Sequence, residues 1–143
     1  IKSTGGVNGT VNLGGGDTVT GNISNIATLN LAAGGAIALQ GTTTATSVKL
    51  ASGSQVTTTG LLTSGSSVVF DGSVTQLTLN GGALASFSLG TDINNILTLG
   101  AGQTITGNIT STGGGGTLVL NSGSKVTGNI GSLGNNIGKI IML

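Results

Sequence analysis

The sequence predicts an all-β fold: one domain over residues 1–143, wound as a single-stranded parallel β-solenoid of about seven coils of roughly 20 residues. Three observations lead there. One short template recurs from end to end, glycine follows it at a fixed offset, and no stretch carries helical periodicity. The template is clearest at residues 117–130, TLVLNSGSKVTGNI. With Leu120 as zero, it places apolar residues at −2 and 0, glycine at +3, and apolar residues at +6 and +10.

Taken in order, the −2/0 pairs are Val11 and Leu13, Leu29 and Leu31, Val48 and Leu50, Val68 and Phe70, Leu77 and Leu79, Leu97 and Leu99, and Leu118 and Leu120. Each pair alternates as a strand does, with both side chains on one face. Glycine stands at +3 in six of the seven: Gly16, Gly34, Gly53, Gly82, Gly102 and Gly123. These glycines predict corners, where the backbone turns sharply or takes positive φ. The +6 positions hold Val19, Ile37, Val56, Ala85, Ile105 and Val126. Asn22, Asn108 and Asn129, with Gln40, stand at +9 and are expected to stack as an amide ladder at another corner.

The steps between anchors are 18, 19, 20, 9, 20 and 21 residues. A period near 20 with short β-rich segments and glycine corners fits one coil of a solenoid. A leucine-rich repeat needs a longer consensus and helical returns, so a β-sandwich is the fallback. The single step of 9 leaves 29 residues between Phe70 and Leu99. Two explanations stay open: Val68–Phe70 is an extra strand in a bulged coil, or Phe87 and Leu89 form the true next anchor. Phe70 and Phe87, the only aromatics, are expected where the cross-section widens.

Composition narrows function. Charged residues are 5% of the chain, against about a quarter in ordinary domains. Frequent Val, Ile and Leu and a mean hydropathy of +0.43 argue against disorder. Glycine lacks the every-third spacing of collagen. Lys2, Lys49, Lys125 and Lys139 are scattered, so no basic stripe exists for nucleic acid. No apolar run approaches the ~20 residues of a transmembrane helix. With no Cys there are no disulfides or thiolate metal ligands.

The catalytic inventory is nearly empty. His, Cys, Tyr, Trp, Glu and Arg are all absent, which removes the usual bases, nucleophiles and anion clamps. Asp17, Asp71 and Asp92 fall at different offsets in separate coils. The chain is therefore expected to be no enzyme and to hold no cofactor or metal. Gly14-Gly15-Gly16-Asp17 occurs once, whereas a calcium roll needs an Asp in each repeat. The run 113–116 lacks the Lys-Ser/Thr and helix of a phosphate loop and reads as a corner. Thr20, Thr57, Thr106 and Thr127 share offset +7 and raise an ice-binding reading, but Ala38 and Ser86 interrupt the rank. Threonine otherwise simply suits exposed strand positions.

The coils VTGNIS (19–24), ITGNIT (105–110) and VTGNIG (126–131) resemble the passenger domains of autotransporters, in particular rickettsial surface cell antigens of the outer-membrane-protein-B type. The resemblance implies a right-handed β-helix, secreted or displayed at the bacterial cell surface, working in adhesion, with a host cell surface as partner. It also implies a passenger segment, since the chain carries no translocator barrel.

The ends complete the reading. Residues 1–10 read as the tail of an earlier coil with Val7 in an inward slot, and KIIML (139–143) begins a new strand. Neither end shows a polar cap, which solenoids need. The expected partners are therefore the rest of a longer solenoid or other copies of the chain. An end-stacking interface is expected at Val7, Val11, Leu13, Ile140, Ile141 and Leu143. Two functions follow: a non-catalytic structural and adhesive surface solenoid, or a subunit of an extracellular filament stacking head to tail.

Overall fold

The structure, a computed structural model, describes residues 1–4 and 7–143. Among these residues the chain forms seventeen strands and no helix. The first six are β1 (Gly9–Leu13), β2 (Thr18–Val19), β3 (Ile23–Leu31), β4 (Ala36–Leu39), β5 (Thr43–Ala51) and β6 (Gln55–Thr58). Then come β7 (Leu62–Ser64), β8 (Val68–Asp71), β9 (Gln76–Leu79), β10 (Ala83–Leu84), β11 (Phe87–Ser88) and β12 (Ile96–Leu99). The last five are β13 (Thr104–Thr106), β14 (Ile109–Thr110), β15 (Thr117–Leu120), β16 (Lys125–Val126) and β17 (Lys139–Met142).

All the strand pairings are parallel and join residues one coil apart. The result is a β-solenoid of about seven coils. Its first face stacks β1, the C-terminal halves of β3 and β5, then β8, β11 and β14, and ends in the bridge Ile109–Ile130. The second face is the seven-stranded sheet β2-β4-β6-β9-β12-β15-β17. The third begins with the bridge Lys2–Ser24 and continues through the N-terminal halves of β3 and β5 to β7, β10, β13 and β16.

Alternation makes the core. Along β12 the inward Leu97 and Leu99 are fully buried while Thr98 between them is only half covered. In-register pairing then turns each inward position into a ladder. Ile37, Val56, Leu77, Leu97 and Leu118 form one on the second face, and Val48, Val68, Phe87 and Ile109 another on the first. Each fully buried Leu or Ile in such a ladder contributes about 1.5–3 kcal/mol of transfer free energy.

The register resolves the 29-residue interval. Phe87 pairs with Val68, so Phe87 and Leu89 are the next anchor on the first face. Leu77 and Leu79 pair instead with Val56 and Thr58, on the second face. The seven −2/0 pairs therefore do not form one column: those through Phe70 lie on the first face and the last three on the second. The template describes a strand and its following corner, and two successive faces meet that same demand. All six +3 glycines have positive φ, between 70° and 109°.

The predicted amide ladder needs correction for the same reason. Asn22 immediately precedes β3 on the third face, whereas Asn108 and Asn129 precede Ile109 and Ile130 on the first. Gln40 lies elsewhere again, its N–H donating to the Val19 carbonyl. The rungs are also not amide to amide. Asn108 Oδ1 accepts from the Asn129 N–H at 2.9 Å, and Asn22 Oδ1 from the Thr42 N–H at 3.0 Å. Each side chain caps the backbone of the coil above it.

Corners bring backbones into contact. A Cβ on Gly60 would sit 2.3 Å from the Gly41 carbonyl oxygen, and one on Gly41 would sit 2.6 Å from that of Gly21. At Gly102 space is open and φ is +70°, so conformation alone demands glycine. Gly102→Ala is predicted to cost about 1–2 kcal/mol, the left-handed penalty, in urea denaturation. Gly60→Ala, which must push two coils apart, should cost more. Inside the core, Thr58 is 1% exposed in the ladder between Leu39 and Leu79, and its hydroxyl has no partner. Thr58→Val should therefore raise stability by about 1 kcal/mol, since an unpaired buried hydroxyl costs desolvation with no return. A lower denaturation midpoint would contradict that reading.

Candidate functional site

The three acidic groups are dispersed. Asp17 closes the first corner: its Oδ2 accepts from the Gly14 N–H at 2.8 Å, and its own N–H donates to the Gly14 carbonyl. Asp92 ties a later corner, accepting from the backbone N–H groups of Asn94 at 2.9 Å and Val74 at 3.3 Å. Asp71 ends β8, in register with Ala51, and is exposed. Among the described residues no three acidic side chains gather where they could hold a metal ion. Both glycine-rich runs are corners. In the second, Gly115 N–H donates to the Thr112 carbonyl, and a Cβ on Gly115 would lie 2.3 Å from Thr91.

The six residues expected at the ends separate in the structure. Leu13 is buried, Val11 is partly buried against the core, and Val7 is exposed. Val7 does not point inward; it lines a groove on the outer surface with Thr44, Thr46 and Thr63. At the other end Ile140 pairs with Leu118 and extends its inward ladder, yet is 49% exposed. Ile141 pairs with Val119 in an outward row, and Leu143 follows the strand and is exposed. Met142, not among those six, extends the Leu120 ladder and is 80% exposed. The inward end positions are thus Ile140 and Met142, because alternation counts from Leu118.

The +7 threonines do not share a face. Thr57 stands on the second face, in register with Thr78 and Thr98, while Thr106 and Thr127 stand on the third. Ala38 and Val119 flank the second-face rank, so it is three residues long.

Between the third and first faces the chain makes a concave bend. β3 and β5 run through it unbroken, with Asn25 at φ 56° and a register shift between Ile23 and Ile26. Higher up, the row divides into β7 and β8, then β10 and β11. Residues at the bend are small, among them Ala45, Gly65 and Ala85. The resulting groove comprises two cavities of about 550 and 280 Å³ that share Gly65.

One internal polar group escaped sequence reasoning. Asn95 is fully buried at the corner between first and second faces. Its Nδ2 donates to the carbonyls of Gly72 and Leu89, both at 2.8 Å, and its Oδ1 accepts from the Thr75 N–H at 2.9 Å. The side chain therefore pins two coils together. Its only sequence signal is an asparagine just before an apolar strand, which exposed turns share.

The fold defines a parallel β-solenoid. Comparison with known protein families, with curated proteins and with solved structures returns no match to this chain.

Val74 is the strained point of the surface, a β-branched residue at φ 54° and 53% exposed. Val74→Asn keeps the N–H that Asp92 accepts and suits the left-handed region. It should raise thermal stability by about 1 kcal/mol; an unchanged or lower melting temperature would show that the corner carries no strain.

Proposed function

We propose that the chain is a non-catalytic structural and adhesive β-solenoid of a bacterial secreted or surface-displayed protein. What carries this reading is the union of a continuous stack of coils with hydroxyl-rich, charge-poor outer faces. Seven coils at about 4.8 Å each make a rod about 34 Å long, whose strands all pair with neighbours above and below except at its ends. Such a rod holds its surface at a fixed distance and orientation. The resemblance of the Thr-Gly-Asn-Ile coils to autotransporter passengers supports the surface setting. Labelled chain should bind host epithelial cells saturably, and unlabelled chain should compete. Binding no greater than that of a charge-matched control protein would contradict the adhesive part of the reading.

A second reading, a filament subunit joined head to tail, is favoured by one observation. Ile140 and Met142 continue buried ladders yet are largely exposed, above an unpaired strand edge. A like coil laid on β17, whether a continuation of the same chain or another copy, would cover them, and between copies a contact of unlike ends propagates without closing. Negative-stain microscopy should then show fibres for the 143-residue chain and short rods for Ile140→Asp. Monodisperse rods of the unmodified chain would rule the filament out.

A further inference from the structure

We propose that the concave groove between the third and first faces binds an uncharged oligosaccharide chain of a host cell surface. The inference rests on the adhesive reading and names the chemical class of its partner. The larger part, about 550 Å³, is an open, mostly polar depression rather than an enclosed pocket. The smaller one continues from it through Gly65, so the trough crosses successive coils and suits an elongated ligand.

The lining selects against charged ligands. No Lys or Asp lines either cavity, so phosphate, sulfate, uronate and basic peptides find no counter-charge. What the groove offers is hydroxyls. The side-chain hydroxyls of Ser67 and Thr106 in the upper part and of Thr44 and Thr63 in the lower engage no hydrogen bond among the described residues. A hydroxyl both donates and accepts, which matches the alternating roles of sugar hydroxyls. Leu84 and Val7, 47% and 51% exposed, add apolar contact for the C–H face of a pyranose ring.

An extended peptide fits less well. Peptides that join a β-surface gain most from main-chain bonds to an unpaired edge. The strands under the groove have none: β7 lies between β5 and β10, and β8 between β5 and β11.

The test uses the 143-residue chain and beads coupled to neutral glycans released from host epithelial cells, with dextran beads as a second arm. Retention on the host glycans is expected, falling at least tenfold in Ser67→Arg/Thr106→Arg. Both positions are exposed, so the fold should survive, checked by an unchanged far-UV spectrum. Thr57→Arg/Thr78→Arg adds the same charge to the second face and should bind as the unmodified chain does. The proposal would be overturned by no retention on host glycans, by equal loss in both variants, or by retention on dextran alone, which would place the ligand in a secreted matrix. Selection of a tight peptide ligand lost in the Ser67/Thr106 variant would overturn it in favour of a peptide groove. Should that variant adhere to cells as well as the unmodified chain, the glycan groove falls and the adhesive reading stands.

Discussion

Each coil of this molecule lies on the next, backbone to backbone, at a parallel-strand spacing of about 4.8 Å. That spacing decides which residues can stand where. At corners it leaves no room for a Cβ between Gly60 and Gly41 or between Gly128 and Gly107. On the faces it brings like positions into contact, so an inward position is apolar in most coils. The high glycine content and the aliphatic ladders are two results of one distance.

Within that frame volume is balanced coil by coil. The coil that carries Phe87 and Leu89 on the first face carries only Ala83 and Ala85 on the third, and all four are buried. A large residue on one wall thus fills the space that small residues leave on another, as close packing requires. Polar groups enter the interior where the backbone at a corner needs a partner. Asn95 supplies three hydrogen bonds there, and Thr75 Oγ1 reaches the Ala51 carbonyl. Thr43 and Thr58 hold unpaired hydroxyls inside the ladders and have no such justification in the structure.

The solenoid, the strand alternation and the six glycine corners were legible because each is a local pattern that coil stacking multiplies. Register was not. A strand followed by a glycine corner looks alike on two faces, so Leu77 and Leu79 resembled successors of Val68 and Phe70 although they stack on Val56 and Thr58. Asn22 and Asn108 were conflated for the same reason. Val7 failed because alternation is a guide only within a strand, and it lies before β1. The groove was invisible since it depends on where two faces bend toward each other, which a bulge at Asn25 and small residues at 45, 65 and 85 determine only once register is known.

The proposed function therefore rests on register, because the outer ranks and the groove exist only if the right residues lie in adjacent coils. The chain has no cysteine, which permits a direct test by engineered pairs. Thr57 and Thr78 are outward partners on the second face, while Val69 pairs with Lys49 and Ser88 on the first. Partners one parallel spacing apart lie within the Cα separation a disulfide spans, about 4.4–6.8 Å. Mild oxidation should close an intramolecular disulfide in Thr57→Cys/Thr78→Cys and leave Val69→Cys/Thr78→Cys reduced. Closure of the Val69/Thr78 pair, with the Thr57/Thr78 pair left open, would contradict the three-faced register on which the account stands.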